Sequence, residues 1–283
     1  MKRFLAVLAL SLFLIPLGCE TRVTDPEADP QASPPPPSFA GNKGGIVYTE
    51  TYGSWPPVTS DLVYLDLTTN KTTLLTTNPG PDQMGSWSPD GNWIVYSSAV
   101  PPSKDMDLHV MSVAKDGTPG VRYAILAGHK GGDNYAAWSP DGNKIAFRHG
   151  GDIYYIEMSW LTGGPLPAST SGPVHLTPKA AVGPIYWDTR PSWSPNSDEI
   201  IFARNCRARR HEQPPPPATP IPPTPCPADD QSRELWMVDL TGTETRVTKT
   251  PSINEDNPSW NPNGSGGVDE IVYNVIADVG GSA

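Results

Sequence analysis

Short apolar runs recur along the chain at a regular place in a longer pattern. Ile94-Val95-Tyr96, Ile145-Ala146-Phe147, Ile200-Ile201-Phe202 and Ile271-Val272-Tyr273 each follow a tryptophan-led polar core, and a fifth copy, Ile46-Val47-Tyr48, opens the series. The cores are Trp87-Ser88-Pro89-Asp90-Gly91, Trp138-Ser139-Pro140-Asp141-Gly142, Trp193-Ser194-Pro195-Asn196 and Trp260-Asn261-Pro262-Asn263-Gly264. Proline presets φ at the second turn position, Asp or Asn suits the third, and glycine takes φ > 0 at the exit, so SPDG between apolar runs predicts a hairpin. A third element repeats four times as an acid leading an alternating strand: Asp61 to Leu65, Asp107 to Met111, Asp152 to Ile156 and Glu234 to Val238. Its period of two is that of a β-strand. A weaker strand follows each, around Thr72 to Thr76, Tyr123 to Ala127, Val174 to Thr177 and Thr245 to Thr248. Four antiparallel strands per unit, stacked radially, describe an all-β propeller.

These residues resemble the TolB-like, WD-type propeller repeats, in which a tryptophan precedes SPDG and an Ile-x-aromatic strand. Two copies match in full, two depart in the turn, and the resemblance covers about residues 44 to 276. It implies four-stranded blades, about four to five here, with Trp87, Trp138, Trp193 and Trp260 as structural anchors between sheets. The expected strand count is about 17. It also implies ring closure by pairing of the two termini within one blade. The stretch from Ala277 to Ala283 falls where the acid-led strand would continue, which leads us to expect a truncated ring with an open edge.

The chain has 35 Pro and 26 Gly among 283 residues, which disfavours a helical fold, while nine Trp and ten Tyr supply a sizeable core. Its net charge of −10 argues against general nucleic-acid binding. The basic cluster Arg204, Arg207, Arg209 and Arg210 reads as a solvated loop.

Lys2 and Arg3 precede an apolar run from Phe4 to Leu17, the length of a signal-peptide core and too short to span a bilayer. The junction Leu17-Gly18-Cys19 resembles the bacterial lipoprotein signal, although Pro16 stands where that signal carries Leu, Val or Ile. The resemblance implies export, with Cys19 lipidated and the body facing the periplasm or cell exterior. The expected plan is a signal peptide over 1–18, a Pro-rich tether over 19–43, and a propeller over 44–283 with a Pro-rich insertion at 206–227. With Cys19 assigned to lipid, Cys206 and Cys226 remain as a pair bracketing that insertion, and in an oxidising compartment they are expected to form a disulfide. Two free thiols are the alternative; a zinc site lacks the CxxC spacing.

No GxSxG, HExxH, GxxxxGK[ST] or GxGxxG occurs, so no catalytic residue, metal site or cofactor is assigned. The histidines at 109, 129, 149, 175 and 211 share no repeat position and read as ordinary strand or loop residues. One chemical pattern recurs in all four units: an acid five residues before each tryptophan, namely Asp82, Asp133, Asp188 and Glu255. Placed at the start of innermost strands, these four would gather at one channel mouth and attract a basic peptide or a metal ion; alternatively, each orders its own loop. The function expected from these features is a membrane-anchored, non-catalytic scaffold that binds an envelope protein or peptide. The alternative is the propeller portion of a longer serine-peptidase-type hydrolase. A carbohydrate-active propeller with paired carboxylates fits the acids but has no other support.

Overall fold

The computed structural model describes residues 45–52, 59–99, 105–126, 131–161, 164–167, 172–178, 185–207, 232–250, 253–261 and 270–277. These carry strands and turns arranged as five antiparallel sheets. The first sheet has β1 (Gly45–Tyr52), β2 (Thr59–Asp66) and β3 (Lys71–Leu74). The second has β4 (Asp82–Trp87), β5 (Trp93–Ser98), β6 (Asp107–Val113) and β7 (Pro119–Leu126). The third has β8 (Asp133–Trp138), β9 (Lys144–His149), β10 (Asp152–Leu161), β11 (Gly164–Pro167) and β12 (Val174–His175). The fourth has β13 (Ile185–Trp193), β14 (Glu199–Arg207), β15 (Glu234–Asp239) and β16 (Glu244–Arg246), and the fifth pairs β17 (Ile253–Trp260) with β18 (Ile271–Ala277). Eighteen strands among the described residues exceed the expected 17 by β11. The long β10 pairs β12 at its start and folds back onto β11 at its end.

Each sheet follows chain order, and the first strands of successive sheets, β4, β8, β13 and β17, touch one another in sequence. They form the inner wall, and the acid-led strands lie two places outward. Four apolar clusters fill the spaces between consecutive sheets. The repeat tryptophans sit in these seams: Trp87 meets Tyr64 of the preceding sheet edge-on at 6.2 Å, and Trp193 meets Tyr155 likewise at 6.4 Å. Trp193 also donates its indole N–H to the Ala137 carbonyl across the seam, at 3.0 Å. One aromatic per sheet, pinned to its neighbour, holds the stack together.

The SPDG turns form as the sequence predicts. Gly91 and Gly142 take φ of 66° and 73°, and each N–H bonds back to the carbonyl of the turn serine. Ser88 and Ser139 donate their hydroxyls to Asp90 and Asp141 within the turn. In the third copy Ser197 adopts the left-handed conformation in glycine's place, at φ 62°, and Asp198 supplies the carboxylate that Ser194 bonds at 2.7 Å. In the fourth, residues 262–269 lie outside the described residues.

Candidate functional site

The repeated acids stand on the inner strands, each five residues before the tryptophan that ends the strand. Asp82 and Asp133 begin theirs, while β13 and β17 start a few residues before Asp188 and Glu255. All four are withdrawn from solvent: Asp82, Asp133 and Asp188 are 0% exposed and Glu255 is 1% exposed. Their backbones tie the sheets together. The N–H groups of Asp133, Asp188 and Glu255 donate to the carbonyls of Met106, Gly151 and Arg233, each the residue just before the acid-led strand of the preceding sheet.

Cross-strand register selects the side-chain partner. Asp133 faces His149, which bonds its carboxylate through Nδ1 at 2.7 Å. Asp188 faces Arg204, which binds both of its oxygens at 2.7 and 2.8 Å and then reaches Glu244 of β16. Burial alone would lower the Arg204 pKa, but the bonds to Asp188 and Glu244 outweigh it and raise it further, fixing the cation. Glu255 faces Val275, which offers nothing, and accepts instead from the Thr248 hydroxyl of the preceding sheet. Asp82 faces Ser98, and neither of its oxygens meets a hydrogen-bond partner. Burial pushes its pKa up, only partly countered by Ser98, Thr76, Arg122 and Asn78 nearby.

This geometry corrects the expectation of an acidic mouth for a cation. Buried carboxylates, three of them bonded to side chains of their own or the preceding sheet, do not meet an approaching ligand. Among the described residues no group of three or more His, Cys, Asp or Glu side chains is arranged to hold a metal ion. The basic cluster is corrected as well. Arg204 is a buried ion-pair member, not part of a solvated loop; the Arg207 side chain, Arg209 and Arg210 lie outside the described residues. His109 is buried against Tyr96, and His175 stacks on Tyr154 with ring centroids 4.2 Å apart while bonding Asp152. His129, His211, Cys19 and Cys226 lie outside the described residues; Cys206, on β14, is disulfide-bonded.

An unexpected feature accompanies each acid. Two residues on, Met84, Tyr135, Arg190 and Asn257 adopt left-handed backbone at φ 61°, 57°, 56° and 49°. A β-bulge breaks the register of each inner strand at the same place. A bulge gives one strand an extra residue and re-aims the side chains beyond it.

Where the third and fourth sheets meet, their bulges help to form a cleft of about 200 Å³ that sequence reasoning missed. Tyr135, Arg148, Trp187, Arg190, Asn205 and Arg233 line it. Arg148 lies over Trp187 at 4.5 Å, and Arg190 over Tyr135 at 5.2 Å. Arg190 and Arg233 both reach Asp256 Oδ2, joining the inner strands of neighbouring sheets. The missed signal lay in an alignment of the repeats on tryptophan. Arginine stands at 190, 148 and 233, where other units place Met84, Tyr135 and Asn257; Ser97, Ala203 and Asn274; and Ser60, Met106 and Gly151.

Radially stacked antiparallel sheets with their first strands innermost define a β-propeller, and the solved structures that this chain resembles are of that class. A putative TolB from Agrobacterium tumefaciens matches with a TM-score of 0.52 at 20% identity, over 81% of this chain and 70% of that one. TolB from Acinetobacter baumannii matches with a TM-score of 0.50 at 16% identity, over 83% of this chain and 53% of that one. This chain therefore spans about half the length of the second, and at such identities the likeness is one of fold. No protein-family model matches the chain. No curated protein matches it either.

Proposed function

We propose that this propeller is a non-catalytic scaffold, exported and held on a membrane through Cys19, that binds a protein or peptide partner of the cell envelope. The observation that carries the binding role is the cleft at the inner strands. Its arginines supply planar forks of N–H donors suited to binding rather than to general-base chemistry. Its aromatic faces add contact area at low entropic cost, and arginine with tyrosine and tryptophan is the composition of interface hot spots. The anchoring and export rest on Lys2, Arg3, the apolar run to Leu17 and the Gly18-Cys19 junction.

The test is capture of an envelope partner from solubilised membranes by the full chain, compared with Arg190→Gln. A partner retained by the parent and lost by the folded variant supports the reading; equal retention removes the cleft from it. Fractionation of Cys19→Ala tests the anchor. Release of an exported protein from the membrane is expected, and continued membrane binding would sink lipid attachment. The hydrolase alternative is separated by the length of the natural gene product, since a following domain with GxSxG would favour it.

A further inference from the structure

We infer that the cleft between the third and fourth sheets is a carboxylate-binding site, which takes an acidic peptide segment. This deepens the scaffold reading and rests on it. Arg148, Arg190 and Arg233 bring three guanidiniums to one cavity, and two of them, Arg190 and Arg233, share the carboxylate of Asp256. That carboxylate lies beneath them: Asp256 is 4% exposed, whereas Arg190 and Arg233 are 29% and 30% exposed. In these two ion pairs it is the guanidiniums that open to solvent, in a chain whose overall charge is −10.

Asp256 does not exhaust its partners. Both arginines reach the same oxygen, Oδ2, through one Nη1 each, and Oδ1 accepts from the Asn257 backbone. Arg233 Nε is a buried donor with no hydrogen-bond partner. A guanidinium presents five N–H donors in a planar fork that matches a carboxylate with two parallel bonds, so an incoming carboxylate would satisfy what Asp256 leaves.

The arrangement is preorganised. The Arg233 N–H donates to Asn254 Oδ1 at 2.9 Å and its carbonyl accepts from Glu255 N–H at 2.8 Å, so β17 clamps its backbone from both sides. Arg190 is held over Tyr135, and Arg148 over Trp187. The repeat acids on the two inner strands that line the cleft are already paired, Asp133 with His149 and Asp188 with Arg204. The repeat does not require this basic cluster, because the equivalent positions in the other units carry no cation.

The experiment titrates a dye-labelled, C-terminally amidated acidic hexapeptide against the full chain and reads fluorescence anisotropy. Binding is expected at 0.1 M salt and its loss at 1 M, where the screening length falls from about 10 Å to about 3 Å. Arg148→Gln, which leaves the Asp256 pairs in place, should weaken binding by about tenfold, the worth of one charged hydrogen bond. Asp256→Asn should tighten it, since it removes the competing charge; a purely structural cluster would give no gain. Folding of both variants is checked by their melting curves, and the Arg148 variant decides the question alone if Asp256→Asn does not fold. A neutral peptide with a free C-terminal carboxylate, run in parallel, tells side-chain from terminal recognition. No binding, unchanged binding in Arg148→Gln, or displacement by inorganic phosphate or a mononucleotide at lower concentration than by the peptide overturns the proposal. Equal capture of an envelope partner by the parent and Arg148→Gln would leave the scaffold standing without this site. Peptide binding that depends on Arg148, with no partner captured, would leave the site and remove the scaffold.

Discussion

The inner strands of the second and fourth sheets carry the same residue at the same repeat position, yet treat it in opposite ways. Asp82 and Asp188 each stand five residues before a repeat tryptophan, each is fully buried, and each precedes a bulge with a left-handed residue. In the fourth sheet the residue opposite is Arg204, which bonds both oxygens of Asp188 and continues to Glu244. In the second it is Ser98, and the nearest cation, Arg122 of β7, stops one residue short. It bonds Ser98 at 3.0 Å and Asn78 at 3.3 Å and lies over the Tyr96 ring. One sheet thus buries a complete ion pair and the other a carboxylate that burial drives toward its neutral form. The repeat dictates the acid, while a single position on the next strand decides whether that acid is a fastener or a burden.

Removing the fastener should produce the largest effect. Arg204→Met leaves Asp188 charged and buried without its two strongest bonds, and the expected loss is about 3–5 kcal/mol of unfolding free energy, measured by urea denaturation. The double variant Arg204→Met, Asp188→Leu should recover most of that loss, because a paired buried ion contributes little over an apolar pair of similar volume. A single variant as stable as the parent would show that Asp188 is relieved by some other group. A smaller effect is expected at Thr248, whose hydroxyl accepts from Leu235 N–H at 2.9 Å and donates to Glu255. Thr248→Val strips a buried N–H and a buried carboxylate of one partner each, at a cost of about 1–3 kcal/mol. Thr177 accepts from Ile153 N–H in the same way, but the acid of the following sheet is Asp188, which Arg204 already holds. Thr177→Val should therefore cost less than Thr248→Val, and the reverse order would break the comparison.

The tryptophans, the SPDG turns and the acid-led strands were legible because each rests on local chemistry: a turn with its proline and glycine, or an alternation of period two. The partners of the acids were not, and the reason is a slip of one residue. Trp193 pairs with Ile200 and Trp87 with Ile94, and extending that register evenly would set Asp188 opposite Asn205 and Asp82 opposite Ala99. The bulge shortens the count by one and brings Arg204 and Ser98 there instead. No glycine marks it: Met84, Tyr135, Arg190 and Asn257 occupy left-handed backbone that side chains other than Asn rarely choose. Packing of one inner strand on the next overrides that preference, so the bulge belongs to tertiary structure and local propensity does not reveal it. The same slip hid the cleft, because it hid which side chains the inner strands bring together. The fold-back of β10 onto β11 was missed for a related reason, since its apolar run continues past the strand end that the period suggested.

The smallest expected effect carries the opposite sign and tests the burden directly. Asp82→Asn keeps the shape and removes the charge that burial penalises, so it should stabilise the chain at neutral pH, by roughly 1 kcal/mol if the charge is left as poorly solvated as its geometry indicates. Because the folded-state pKa of Asp82 is raised, the unfolded chain loses its proton first as pH climbs past about 3.9. Between that value and the higher folded pKa the native state holds more protons, and stability falls with rising pH. The advantage of Asp82→Asn should accordingly be near zero below the unfolded value, grow through this window and level off above it. His109 acts in the other direction. Burial lowers its pKa, so the unfolded chain takes up a proton first as pH falls below about 6.5, and stability is lost on the acid side. That contribution is common to parent and variant apart from the small field of Asp82 on His109, and it largely cancels in their difference. Paired denaturation curves from about pH 4 to about pH 8 read that difference. A variant less stable than the parent at neutral pH, or a gain that does not change with pH, would mean that Asp82 is as well held as Asp188 and that the two sheets do not differ in the way their opposite residues imply.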